Sequence, residues 1–261
     1  MEFSVDNKSI RKKLVDIAEK YPSNLRNYAV IDIDRTLCNI SLTLKVLGKP
    51  IEEASIVDLG GNISMFLLCC KAIGFRDVCV IDDFSDPIND SEGDSILDLH
   101  RSHGINIVNE DLVKETPHTL PSADVYTSFD SMEHWHHSPK NLFATISSNL
   151  KVTKGGFVLG VPNCVNMRKR ITVPFGYGKW SQMVHWYEVE QFRGHVREPD
   201  VSDLKYIARD IGFDSFEIVG RNWVGLKNGN CSIRALSKIV DLPMRLLPSI
   251  CGDIDLVTKM Q

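Results

Sequence analysis

Apolar residues fall in short runs along the chain, and turn residues separate them. Ser55–Leu59, Val78–Ile81, Ile105–Val108, Val125–Phe129 and Phe157–Val161 are β-branched or aromatic-rich runs of strand length. Continuous apolar runs without polar alternation predict strands buried on both faces. Between them lie longer segments that suit helices: Ile63–Ile73, about Pro139 to Leu150, and Val201–Ile211. Ser215–Val219 predicts a sixth strand and Asp253–Thr258 a last one, with an amphipathic helix over Ser232–Leu247 that Pro243 interrupts. One joint recurs three times: Ile73-Gly74-Phe75, His103-Gly104-Ile105 and Ile211-Gly212-Phe213 each end a helix on glycine and enter a strand. Glycine past a helix end supplies the left-handed cap. Alternating helix–Gly–strand joints predict a doubly wound α/β fold with a mostly parallel sheet.

The first ~50 residues precede this alternation and read as helical. Lys8–Lys20 carries Ile10, Leu14, Ile17 and Ala18 at helical spacing. Tyr28–Leu47 is ambiguous, either a helix over the sheet edge or one over the mouth of a site. The segment Asn163–Val196 has no clear period and holds Arg168, Lys169, Arg170, Trp180, His185, Trp186, Tyr187 and His195. A long connection at the carboxyl edge of such a sheet shapes a pocket. The boundaries that follow are a helical extension over 1–50 and a domain over 51–261, with an insertion at 163–200.

The stretch from Ser55 to Asp83 reads as strand, glycine turn, helix, strand, acid. A βαβ unit of this kind places a ligand at the strand ends against a helix N-terminus. The acids Asp82 and Asp83 stand about 20 residues past the glycines, the spacing of an acid that binds ribose hydroxyls. Gly60-Gly61-Asn62 lacks the third glycine of a dinucleotide fingerprint, and no Gly-Lys-Ser/Thr follows to make a phosphate loop. The turn Asp58-Leu59-Gly60-Gly61 instead resembles the acid-x-Gly-x-Gly motif of class I S-adenosylmethionine-dependent methyltransferases. Asn62 stands where the second glycine of that motif belongs, and Asn tolerates positive φ best among the other residues.

Downstream, Asp130-Ser131-Met132-Glu133-His134 follows the fourth strand, Lys154-Gly155-Gly156 precedes the fifth, and Pro162-Asn163 ends it. This order is similar to the family's D-x-x-E-H … P … L-K-x-G-G … P-N segment. The resemblance implies a seven-stranded Rossmann-like sheet with an antiparallel edge strand, and S-adenosylmethionine as the methyl donor. It assigns Asp58, Gly60 and Gly61 to the methionine part of the cofactor and Asp82, with Asp83 behind it, to the ribose. It places Asp111 against the adenine amino group, Asp130 in the same pocket, and Phe84 and Leu112 beside the ring. Glycine-His-x-Arg at Gly194–Arg197 is similar to a stretch found in methyltransferases acting on sugars and related small molecules. His195 and His134 are the candidate bases, and Trp180, Trp186 and Tyr187 are candidates to stack on an acceptor ring. The implied acceptor is a small-molecule hydroxyl, on a sugar or a secondary metabolite.

Composition removes some other classes. Of 261 residues, 43% are apolar and 25% charged, and the net charge of −4 advertises no nucleic-acid partner. The chain also lacks the Asn/Asp-Pro-Pro-Tyr/Phe motif that would receive a flipped base after the fourth strand. Seven cysteines without a C-x-x-C pair suit free thiols in a reducing, cytoplasmic setting. The polar N-terminus is unlike a signal peptide, and no run reaches the ~20 apolar residues of a membrane span. A homo-oligomer is left open.

Glu133-His134-Trp135-His136-His137 invites a metal reading. None is expected, because neighbours in one short segment point in different directions. Two rivals remain at this stage. Ile31-Asp32-Ile33-Asp34-Arg35-Thr36-Leu37 resembles the D-x-D-G-T-L motif of haloacid-dehalogenase phosphatases, with Asp32 and Asp34 as its acids and Arg35 in place of its glycine. The departure at Asn62 also admits an inactive methyltransferase-like scaffold.

Overall fold

A computed structural model describes residues 6–85, 89–114, 120–178, 183–190, 192, 194–213, 215–227 and 229–260. The chain runs α1 (Asn7–Ala18), α2 (Ser23–Val46), β1 (Ser55–Leu59), α3 (Met65–Ile73), β2 (Asp77–Asp82), α4 (Asn89–Ser102), β3 (Asn106–Asn109) and β4 (Val125–Phe129). It continues through α5 (Lys140–Thr153), β5 (Gly156–Pro162), α6 (Met167–Thr172), α7 (Val184–Tyr187), α8 (Val201–Asp210), β6 (Phe216–Arg221), α9 (Trp223–Leu226), α10 (Cys231–Met244) and β7 (Asp253–Lys259).

The seven strands form one sheet in the order β3-β2-β1-β4-β5-β7-β6. β1 to β5 are parallel, while β7 runs antiparallel to both β5 and β6. The last strand is therefore antiparallel as the resemblance implied, but it is not the edge. β7 inserts between β5 and β6, and β6 forms the border. Its apolar run fits that inner place, since Ile254, Leu256 and Val257 are all buried.

Alternation along the strands feeds two cores. Ile56, Val78, Val80, Val125, Val158 and Val257 face the layer of α1, α2 and α3. Val57, Cys79, Ile81, Tyr126, Phe157 and Leu256 face α5 and α8. The order reverses between β1 and β4, and a ligand crevice opens at such a switch point, outside the strands' carboxyl ends. Three of the four non-glycine residues with positive φ among the described residues lie at that edge: Asn62 (46°) after β1, Phe84 (49°) after β2 and Asp130 (49°) after β4. Backbone strain of this kind gathers at functional sites.

The ambiguous Tyr28–Leu47 stretch is the helix α2, lying over the sheet with Val46 against Gly156 of β5. The phosphatase-like reading fails here. Asp32 and Asp34 are helical and occupy no strand end. Asp34 pairs with Arg11 and Asp32 with Lys227. Among the described residues no helix is long and apolar enough to cross a membrane.

Candidate active site

A cleft of about 430 Å³ lies at the carboxyl ends of β1 to β4. Its walls include Gly60, Asn62, Asp82, Asp83, Asp111, Leu112, Asp130, Ser131, His134 and Trp135. That volume lies within the ~300–1,000 Å³ range of small-molecule sites. Seven of the sequence-predicted residues thus meet in one place: Gly60, Asp82, Asp83, Asp111, Leu112, Asp130 and His134. Asp58, Gly61 and His195 are not on its walls.

The glycine turn explains itself in contacts. Gly60 has φ +70°, and a Cβ there would lie 1.8 Å from Ser131 Oγ. A Cβ on Gly61 would lie 2.2 Å from Asp58 Oδ2. Both glycines are required by close approach, Gly60 also by its φ. Asn62 takes the left-handed conformation that the motif otherwise gives to glycine, so the turn closes. Its backbone N–H donates to Asp82 Oδ2 at 2.9 Å, tying the turn to the end of β2. Asp82 Oδ1 accepts from Phe84 N at 2.7 Å.

Asp58 sits beneath the turn. It is 2% exposed, and its Oδ1 accepts from Thr127 Oγ1 of β4 at 2.6 Å. Burial pushes its pKa up to about 7; the charge of Asp82 adds to this and the Thr127 bond opposes it. Asp83 and Asp111 line the cleft and cap their own loops. Asp83 Oδ1 accepts from Ser85 N at 2.9 Å, and Asp111 Oδ1 accepts from Val113 N and Lys114 N at 3.1 and 3.0 Å. Asp130 pairs with Arg35 of α2, which reaches over the sheet to the cleft.

A second cluster adjoins the cleft. The backbone carbonyl of Glu133 accepts from Val196 N at 2.7 Å and Arg197 N at 3.2 Å. These bonds hold the end of the insertion against the loop after β4. His195 thereby meets His134 edge to face, with ring centroids 4.9 Å apart. His195 Nδ1 bonds Glu198 Oε1 at 2.7 Å, and Lys169 of α6 pairs with the other oxygen of Glu198. That bond, with the nearby negative charges, pushes the His195 pKa up against the effect of burial. Burial would raise Glu198, but the bonds from His195 and Lys169 prevail and bring it down to about 2. Burial pushes Glu133 up to about 7, and its Oε2 has no hydrogen-bond partner among the described residues.

Glu133, His134 and His195 hold ligand-type atoms within 4.8 Å of one another. The expectation that nothing here could converge considered only one segment; the third group arrives from another. Lys169 and His195 both bind Glu198, while Glu133 Oε2 stays without a hydrogen-bond partner among the described residues.

Trp186 and Tyr187 are exposed and not on the cleft walls. Trp180 and the side chain of His185 lie outside the described residues. Leu112 lines the cleft, while Phe84 packs on the core beside it. Sequence reasoning missed Arg35, read only as a misfit in a phosphatase motif, and Glu198. The signal for Glu198 was its place three residues after His195.

The chain matches the model of the "Methyltransferase domain" family over residues 31–217. It belongs to that family. This methyltransferase is an enzyme, and its methyl donor is S-adenosylmethionine. Solved structures share the fold at low identity. A cyclopropane-fatty-acyl-phospholipid synthase-like protein from Lactobacillus casei is 14% identical, with a TM-score of 0.56 over 96% of this chain and 100% of that one. Geranyl diphosphate C-methyltransferase from Streptomyces coelicolor is 13% identical, with a TM-score of 0.52 over 91% and 84%. Phosphoethanolamine N-methyltransferase 2 from Haemonchus contortus is 14% identical, with a TM-score of 0.53 over 87% and 52%. No curated protein matches the sequence.

The cleft of this methyltransferase suits that donor. Asn62 Oδ1 is a buried acceptor without a partner among the described residues, next to the glycine turn. It offers a place for a ligand's ammonium or hydroxyl group. Three carboxylates, Asp82, Asp83 and Asp111, line the same space as a cation-friendly, hydroxyl-accepting wall.

Proposed function

We propose that this methyltransferase acts on a hydroxyl of a small molecule, a sugar or a secondary metabolite, and that His195 takes the hydroxyl proton. The observation that carries this reading is the Glu198–His195 pair set against His134 at the rim of the cleft. S-adenosylmethionine supplies an electrophilic methyl group when bound. Holding a nucleophile in line with such a group can supply roughly 7–11 kcal/mol of the barrier, and a base adds about 10²–10⁴-fold. Asp82, with Asp83 beside it, holds the ribose hydroxyls in this reading; Asp111 takes the adenine amino group, and the Gly60–Gly61 backbone frames the methionine part. Glu198 holds His195 by Nδ1, which directs the Nε2 lone pair away from the pair and stabilises the imidazolium once the proton arrives. His134 orients the ring by its edge contact.

His195→Gln and wild type are compared for S-adenosylhomocysteine release over a panel of sugar and phenolic hydroxyls, and for S-adenosylhomocysteine binding by calorimetry. The variant should lose about 10²–10⁴-fold in turnover with binding nearly unchanged. Equal losses in both would remove His195 from the role of base. Turnover that persists in a chelator is expected, because in this reading His195 takes the proton itself and no ion is needed. Loss restored by a divalent ion would assign Glu133, His134 and His195 to metal instead.

A further inference from the structure

The helix between β6 and β7 is inside out. α10 turns Ile233, Leu236, Ile239 and Leu242 to solvent, and Ile239 and Leu242 are 73% and 72% exposed. At about 100° per residue these four side chains span roughly half the helix circumference. Leu246 and Leu247, just past its end, extend the stripe. The side turned to protein is polar. Ser237 lies so close to Gly225 of α9 that a Cβ there would meet its Oγ at 2.4 Å. Asp241 is buried, accepts from Asn222 Nδ2 at 2.9 Å and pairs with Arg245.

A surface helix of a globular protein keeps its apolar stripe on the core. A contiguous outward stripe marks a surface that meets something apolar. The charges say what. Lys238 is exposed beside the Leu242 edge of the stripe, and the only acid of α10 is the buried, paired Asp241 on the side turned to protein. We propose that α10 seats the enzyme on an anionic lipid surface, with the apolar stripe in the interface and Lys238 at its edge reaching the headgroups. β6 runs parallel to β5, and β7 returns antiparallel, so the whole β6–β7 connection lies at the carboxyl edge of the sheet. Docking through α10 would bring the edge that holds the cleft to the bilayer. This inference does not depend on which acceptor is methylated.

The test is flotation of the full chain with vesicles of phosphatidylcholine alone and of phosphatidylcholine mixed with phosphatidylglycerol. The protein should float with the mixed vesicles. The double variant Ile239→Glu/Leu242→Glu should reduce the bound fraction by about tenfold or more. Lys238→Glu should reduce it about fivefold on mixed vesicles and little on neutral ones. Both substituted apolar side chains are largely exposed, so circular dichroism and S-adenosylhomocysteine binding should stay at wild-type values. Wild type that stays unbound, or a double variant that floats as well as wild type, overturns the proposal. So does light scattering that shows a wild-type dimer split by the double variant, which would assign the stripe to a second copy. In each of these cases the proposed acceptor chemistry stands untouched.

Discussion

Asp58→Asn isolates a carboxyl that burial keeps protonated up to about pH 7. Asp58 is almost fully buried between the glycine turn and Thr127, and burial above all raises its pKa from 3.8 to about 7. In the unfolded chain it ionises near its ordinary value. A raised carboxyl stabilises the fold in full below its unfolded pKa, and that contribution is lost as pH rises through the folded one. The interval from 3.8 to about 7, at ~1.4 kcal/mol per pH unit, spans roughly 4 kcal/mol. Asparagine keeps the shape and stays uncharged at every pH. The stability of wild type relative to Asp58→Asn should therefore fall by roughly 4 kcal/mol between about pH 4 and about pH 8. Urea denaturation of both proteins across that range measures it. Glu133 and Asp255, also raised to about 7 by burial, are present in both proteins and cancel in the difference. A difference that stays flat with pH would show that Asp58 is not a buried neutral acid and would undo the account of the turn resting on it.

Two further substitutions probe the cradle. Gly61→Ala puts a methyl group 2.2 Å from Asp58 Oδ2, on a side chain that is buried and held by Thr127. Stability should drop by about 1–3 kcal/mol, with weaker S-adenosylhomocysteine binding in calorimetry; unchanged affinity would mean the turn does not shape the cofactor site. Asp82→Ala removes the acceptor for Asn62 N and Phe84 N as well as the proposed ribose carboxylate. Cofactor affinity should weaken by about 1–3 kcal/mol, and wild-type affinity in this variant would move the ribose elsewhere.

Much of the fold was legible because buried parallel strands are uninterrupted apolar runs. β1 and β4 have the bounds their composition predicts, and the three glycine joints carry positive φ at Gly74, Gly104 and Gly212. Strand order was less legible. β7 reads as an edge strand by position in the chain, yet nothing in an apolar run says which strands flank it. The place of α2 was ambiguous because a helical run does not say what it covers, and only its packing shows that Asp32 and Asp34 pair with other side chains along a helix.

The sequence by itself determined the alternating fold, the family and the row of acids at the strand ends, since each is a local pattern of turns, periods and spacing. Tertiary structure alone decided that His195 meets Glu133 and His134, segments far apart in the chain, and that Arg35 joins Asp130. It alone also decided which way α10 faces. A helical period names an apolar side but not its partner, because the partner is whatever surface the rest of the chain brings, or leaves open, beside it.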